Sequence, residues 1–250
     1  KSTLKLLKKT KANAFVVTKG SEGISVFFAK GKKLDIPQID VNVYDVTGAG
    51  DTFIALLSYL LSNEIDLINS IKISSFACGK VVQKKHTAVL SFLEFQKIIE
   101  EFCENEFIKL SLKIKLWKLV KFKIGVTNGC FDVLHSGHLH LLNEAKKNCD
   151  KLIVLLNSDN SIKKIKGKNR PILKLNQRIK MLRMIKDVDD VKVFEEKTPE
   201  RIISKILPNI LFKGSDYTAR ELAGYDVIKN NGGKIKIINK LKNFSSSKLI

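Results

Sequence analysis

The chain is poor in the features that mark secreted, membrane-spanning or nucleic-acid-reading proteins. Its four cysteines, Cys78, Cys103, Cys130 and Cys149, form no C-x-x-C pair and no tight cluster. That argues against a disulfide framework or a zinc knuckle and for the reduced thiols of a cytoplasmic protein. The longest apolar run, FIALLSYLL from Phe53, is too short to cross a bilayer, and no signal peptide is visible. Methionine occurs only at Met181 and Met184, and the first residue is Lys1. Initiator methionine is normally trimmed only before small residues, so the chain reads as the C-terminal part of something longer. Arginine is scarce too, with five (Arg170, Arg178, Arg183, Arg201, Arg220) among 45 basic residues.

That scarcity bears on the net charge of +20. A nucleic-acid reader usually carries more arginine, with aromatics interleaved. Here lysine is spread among isoleucine and asparagine, as an AT-rich genome would encode, so specific nucleic-acid binding is not expected. A lysine-rich nucleic-acid-binding protein on a decayed enzyme scaffold stands as the alternative from another class.

The 250 residues, 44% of them hydrophobic, suit one large or two small domains with real cores. Residues 14–19 and 24–29 read as short buried strands around a GSEG turn. Helical runs follow at 52–62, 66–82 and 92–103, and a charged helical element at 104–122 reads as a connector. From 123 onward strands alternate with helices: strands at 123–128, 151–157, 191–194, 210–214 and 234–238, helices ending near 148 and at 176–186, 199–205 and 219–230, and a basic loop after 157. Such alternation predicts a parallel α/β sheet. The expected division is 1–103, a linker at 104–122, and 123–250.

The segment TNGCFDVLHSGHLHLL, 127–142, holds three of the four histidines. A shared metal is the first reading to test, but H-E-x-x-H is absent and no acidic residue lies between His135 and His138, so no metal site is expected. Strand, loop and helix instead put His135 and His138 at a helix N-terminus on the C-terminal edge of a sheet, where phosphates bind. His140, one turn further in, reads as a surface residue.

NGCFDVLHSGH resembles the signature of the HxGH nucleotidyltransferases. NSD at 157–159, GKNRP at 167–171, NQR at 176–178, FKGSDY at 212–217 and FSSSKLI at the C-terminal end agree with it. The resemblance implies a phosphate-stabilising role for His135 and His138. It implies nucleotide or acceptor contacts for Asn128, Gly129, Phe131, Asp159, Lys166, Arg170, Lys213, Asp216, Ser245, Ser246 and Ser247. In the resembled reaction an acceptor phosphate attacks the α-phosphorus of a nucleoside triphosphate, with Mg²⁺ bridging other phosphate oxygens, and pyrophosphate leaves.

DVTGAGDTF, 45–53, is the second strong motif. Gly48 and Gly50 permit tight backbone at a helix start, a common anion hole. TGAGD resembles the signature of ribokinase-like sugar kinases, and VTKGSEG at 17–23 fits the strand and turn expected upstream. The resemblance implies that Gly48, Ala49 and Gly50 hold ATP phosphates and that Asp51 takes a proton from the attacking alcohol. It covers only the last third or so of such a kinase. His86 departs from the small residue usual there.

The two motifs in this order resemble the bifunctional heptose 7-phosphate kinase/heptose 1-phosphate adenylyltransferase family of Gram-negative bacteria, although Ser215 stands where that family usually has glycine. The implied fold is a partial ribokinase-like α/β block followed by a Rossmann-like parallel-sheet nucleotidyltransferase domain. The implied activity is transfer of AMP from ATP to a heptose 1-phosphate, with a sugar phosphate substrate, no membrane partner and a homodimer through the kinase part. A cytidylyltransferase for a polyol or amino-alcohol phosphate is the alternative within the same class.

Overall fold

The computed structural model describes residues 2–84, 89–103, 105–215 and 222–239. It divides into two compact units, Lys1–Leu112 and Lys113–Ile250.

The first unit opens with helix α1 (Ser2–Thr10), then strands β1 (Ala14–Thr18), β2 (Ile24–Phe28) and β3 (Lys33–Ile36). The strands pair antiparallel in the order β1-β2-β3. Helices α2 (Ala49–Ser62), α3 (Leu67–Val81) and α4 (Phe92–Phe102) follow. The core joins sheet and helices through Ile24, Val26, Ile36, Phe53, Leu57 and Ile71, all buried. Asp66 caps α3 by accepting from the Asn69 amide, and Ser91 with Glu94 forms a capping box on α4. Helix α1 and strand β3 are additions to the elements expected from sequence.

Helix α5 (Glu106–Leu119) crosses the boundary between the units. Its second half is more than a connector. Lys113, only 5% exposed at its side chain, pairs with Asp190 at 2.7 Å, and Lys118 donates to the Ile206 carbonyl at 2.9 Å. The buried Trp117 ring lies under the Lys113 and Lys151 ammonium groups at 5.4 and 5.6 Å.

The second unit continues with β4 (Ile124–Gly129), α6 (Ser136–Lys146), β5 (Lys151–Asn157), α7 (Asp159–Lys166) and α8 (Leu175–Arg183). Then come β6 (Asp190–Phe194), α9 (Glu200–Ile206), β7 (Ile210–Gly214), α10 (Tyr225–Asn230) and β8 (Lys234–Ile238). All five strands run parallel in the order β6-β5-β4-β7-β8. From Leu152 to Asn157 every residue of β5 is buried, the mark of a strand covered on both faces. Gly125 in β4 has no room for a side chain: a Cβ would sit 2.6 Å from both the Cys149 sulfur and the Phe212 ring. The basic stretch after 157, expected as a loop, is helix α7. Ser158 caps it by accepting from the Ser161 amide, Asp159 sits in its first turn, and Gly167 at φ +97° ends it. No helix among the described residues is long and apolar enough to cross a membrane.

Candidate active site

The chain steps from β4 outward through β5 to β6, then crosses back to lay β7 and β8 on the other side of β4. The connections therefore diverge between β4 and β7, and the crevice at the C-terminal ends of those two strands is where such sheets bind ligands. Asn128 and Gly129 end β4, and Lys213 and Gly214 end β7. Lys213 Nζ donates to the Asn128 carbonyl at 3.0 Å and to its Oδ1 at 3.1 Å, clasping the two strand ends together.

His135 is the N-cap of α6, its backbone extended, and its carbonyl accepts from the His138 amide at 2.9 Å. One turn brings the His135 and His138 rings to a centroid separation of 3.9 Å, tilted by 33°. Phe131 closes the stack from the other side, 4.9 Å from the His138 ring. Phe131 is 3% exposed and holds φ +45°, a left-handed backbone that bulky residues seldom adopt. Gly129 leaves space beneath it, since a Cβ there would come within 3.1 Å of the Phe131 ring.

Burial, first, and then the neighbouring His135 and the Lys166 ammonium together push the His138 imidazole down to about 4. Its Nδ1 is enclosed and has no hydrogen-bond partner among the described residues. An enclosed ring nitrogen without a partner costs about 1–3 kcal/mol.

The remaining sequence-predicted residues fall into three groups. Lys166 ends α7, and its positive charge favours the unprotonated form of both His138 and Cys130. Asp159 and Arg170 are paired within the protein: Asp159 accepts from Arg178 at 2.7 Å, and Arg170 donates to Asp132 at 2.8 Å. Asp216, Ser245, Ser246 and Ser247 lie outside the described residues, as does His86.

Two further charged residues, not singled out in the sequence, are paired within the same network. Asp132, 3% exposed, accepts from Arg170 and from the Ile172 and Leu173 amides at 2.6 and 3.2 Å. Arg178, fully buried, reaches the Cys130, Asn157 and Leu173 carbonyls. Both stand inside quoted motifs, NGCFD and NQR, but nothing local distinguishes Arg178 from Arg183 in the same helix.

In the first unit, Gly48 caps α2 at φ +80°, which a side chain would strain, and Ala49 and Gly50 form the first turn. Asp45 accepts from the Thr47 amide at 2.8 Å, tightening the approach. Ala49 and Gly50 line a cavity of about 700 Å³ together with Thr18, Gly23, Asp40 and Cys78. Asp51 is exposed in that first turn. Burial pushes the Cys78 thiol up to about 11, so it stays protonated, donating to the Ala49 carbonyl at 3.3 Å.

The second unit is thus a Rossmann-like α/β domain with an H-x-G-H motif at its ligand crevice, a nucleotidyltransferase arrangement. Residues 126–250, half of the chain, match the family model described as Cytidylyltransferase-like, and the chain belongs to that family. Residues 1–92 match the pfkB family of carbohydrate kinases. The bifunctional protein HldE of Rhodopseudomonas palustris (strain TIE-1) is 36% identical over 245 residues, 95% of this chain and 50% of that protein. HldE of Coxiella burnetii (strain Dugway 5J108-111) is 36% identical over 250 residues, covering 98% and 53%. The chain therefore spans about half the length of the curated relatives it matches. A solved lipopolysaccharide core biosynthesis protein from Thermoplasma volcanium GSS1 is 30% identical, covering 49% of this chain and 99% of that one, with a TM-score of 0.41.

Proposed function

We propose that the second unit transfers AMP from ATP to D-glycero-β-D-manno-heptose 1-phosphate, giving ADP-heptose and pyrophosphate for the lipopolysaccharide core. The observation that carries this reading is the His135–His138 stack on the first turn of α6, at the mouth of the parallel sheet. The similarity to bifunctional HldE proteins along nearly the whole chain supports the choice of acceptor.

The chemistry asks little of the protein in proton transfer. An acceptor phosphate monoester, with a second pKa of about 6, is already ionised near neutral pH. The site must align two anions and stabilise charge growing on the α-phosphate and the bridging oxygen. His135 and His138 do this as hydrogen-bond donors, backed by the N-terminus of α6. Lys166 supplies positive charge at the rim. Asn128, Gly129 and Lys213 shape the crevice floor, and Phe131 keeps water from His138. Asp216 and Ser245–Ser247 complete the nucleotide contacts.

Mg²⁺ would enter as a companion of the triphosphate. Among the described residues no group of three or more His, Cys, Asp or Glu side chains forms a cage for it. In the first unit, Gly48, Ala49 and Gly50 would hold ATP phosphates and Asp51 would act as the base of a heptose 7-phosphate kinase.

One assay tests the reading: pyrophosphate release by the purified chain with ATP or CTP, against heptose 1-phosphate or glycerol 3-phosphate. ATP with the heptose phosphate is expected to turn over. Preference for CTP and glycerol 3-phosphate would instead identify a polyol-phosphate cytidylyltransferase. Added heptose 7-phosphate reads out the kinase unit.

A further inference from the structure

We infer that Arg178 is a positioning residue of the nucleotidyl-transfer site, acting from beneath it without touching substrate. The inference rests on the function proposed above for that crevice. Arg178 lies on α8 and is 0% exposed, so its guanidinium cannot reach a ligand in the crevice. A guanidinium stays charged at any physiological pH, and burying it demands partners for its five N–H groups.

Those partners come from three separate segments. Nε donates to the Leu173 carbonyl at 3.0 Å, just ahead of α8. Nη1 donates at 2.8 Å to the Cys130 carbonyl, one residue past the end of β4, and at 2.8 Å to the Asn157 carbonyl, the last residue of β5. Nη2 donates at 2.7 Å to Asp159, the first residue of α7. One rigid planar group thereby fixes the outlet of β4, which leads into Phe131, His135 and His138, against the start of the helix that ends at Lys166. Asp132 ties the 170–173 segment to the same loop from the other side. Lysine, with one ammonium in place of a planar fork, cannot hold the carbonyl and carboxylate partners at once.

The variants are Arg178→Ala and Arg178→Lys in the full chain, followed by pyrophosphate release, thermal unfolding and amide hydrogen exchange. Displacing catalytic groups by an ångström costs about 100-fold in rate. Arg178→Ala is expected to lose about that in kcat while the KM for nucleotide moves far less, and added guanidinium should restore part of it where sodium chloride does not. Arg178→Lys should remain at least about 10-fold slow on the same grounds. Exchange should quicken at 130–132, 157–159 and 172–174 but stay slow in β4 and β5.

Full activity in Arg178→Lys overturns the inference. So does faster exchange spread evenly through the sheet, which marks a merely structural role. Should Arg178→Ala fail to fold, Arg178→Lys decides the matter alone. If the wild-type chain releases no pyrophosphate, the proposed function fails, whereas the exchange pattern still judges what Arg178 holds.

Discussion

Arg170 and Asp132 form an ion pair at 2.8 Å in which the carboxylate is nearly sealed from solvent and the guanidinium only partly so. The pair joins the histidine loop to the segment entering α8, and Asp132 also accepts from two amides there. A double-mutant cycle of Asp132→Asn and Arg170→Gln, read by urea unfolding, is expected to show a coupling of about 0.5–3 kcal/mol. Purely additive losses would show that the two side chains act independently, and Arg170 would then be open to the phosphate role that the sequence resemblance implies.

Replacing His138 removes a donor from the growing charge on the α-phosphate. His138→Ala is expected to lower turnover by about 2–4 kcal/mol in barrier, roughly a 30- to 1000-fold drop, the size found for a single oxyanion-type donor. Its unfolding midpoint should stay near wild type. Equal pyrophosphate release from the two proteins would remove His138 from the chemistry.

Much of this architecture was legible because its signals are local. Strands β4 to β8 announce themselves as apolar runs such as KLIVLLN, and their alternation with helices implies the parallel sheet. The histidine pair was legible for the same reason: spacing on one helix turn brings the two rings together. Helix α7 reads as a loop in sequence because half of DNSIKKIK is charged, although its cap at Ser158, acidic first turn and terminal Gly167 are all present. The second half of α5 looked like a connector because the partner of Lys113 lies 77 residues away in sequence. Arg178 escaped notice on the same principle. Its partners Cys130, Asn157 and Asp159 belong to segments that only the folded sheet brings together with α8. The left-handed backbone of Phe131 has no sequence signature, since a bulky residue gives no hint of it.

The depressed His138 imidazole makes stability depend on pH in a definite direction. Its folded value of about 4 lies below the ordinary 6.5, so between those two values the unfolded chain binds more protons than the folded one. His138 therefore contributes nothing adverse above about pH 6.5, and stability falls as pH drops from there toward 4. Urea midpoints measured across this window should decline in the wild type and decline less in His138→Gln. Saturating nucleotide should flatten the wild-type curve as well, because phosphate charge favours the protonated ring. Parallel curves for the wild type and His138→Gln would show that another group sets the slope.

Gly125 tests whether the sheet must lie as close to its neighbours as the structure shows. A methyl group there would meet the Cys149 sulfur and the Phe212 ring at 2.6 Å, both buried in the core behind β4. Neither neighbour can swing into solvent, so the strain has to be taken by the strand or by the packing of α6. Gly125→Ala is expected to destabilise the second unit by about 1–3 kcal/mol, the usual cost of overpacking. Pairing it with Cys149→Ala, which vacates the space beside the sulfur, should recover part of that loss, whereas Cys149→Ala alone leaves a small void. Since β4 leads straight into the histidine loop, the single variant should also lose turnover, and the double variant should regain it together with stability. A Gly125→Ala protein as stable as wild type would mean that β4 sits further from Cys149 and Phe212 than these distances place it.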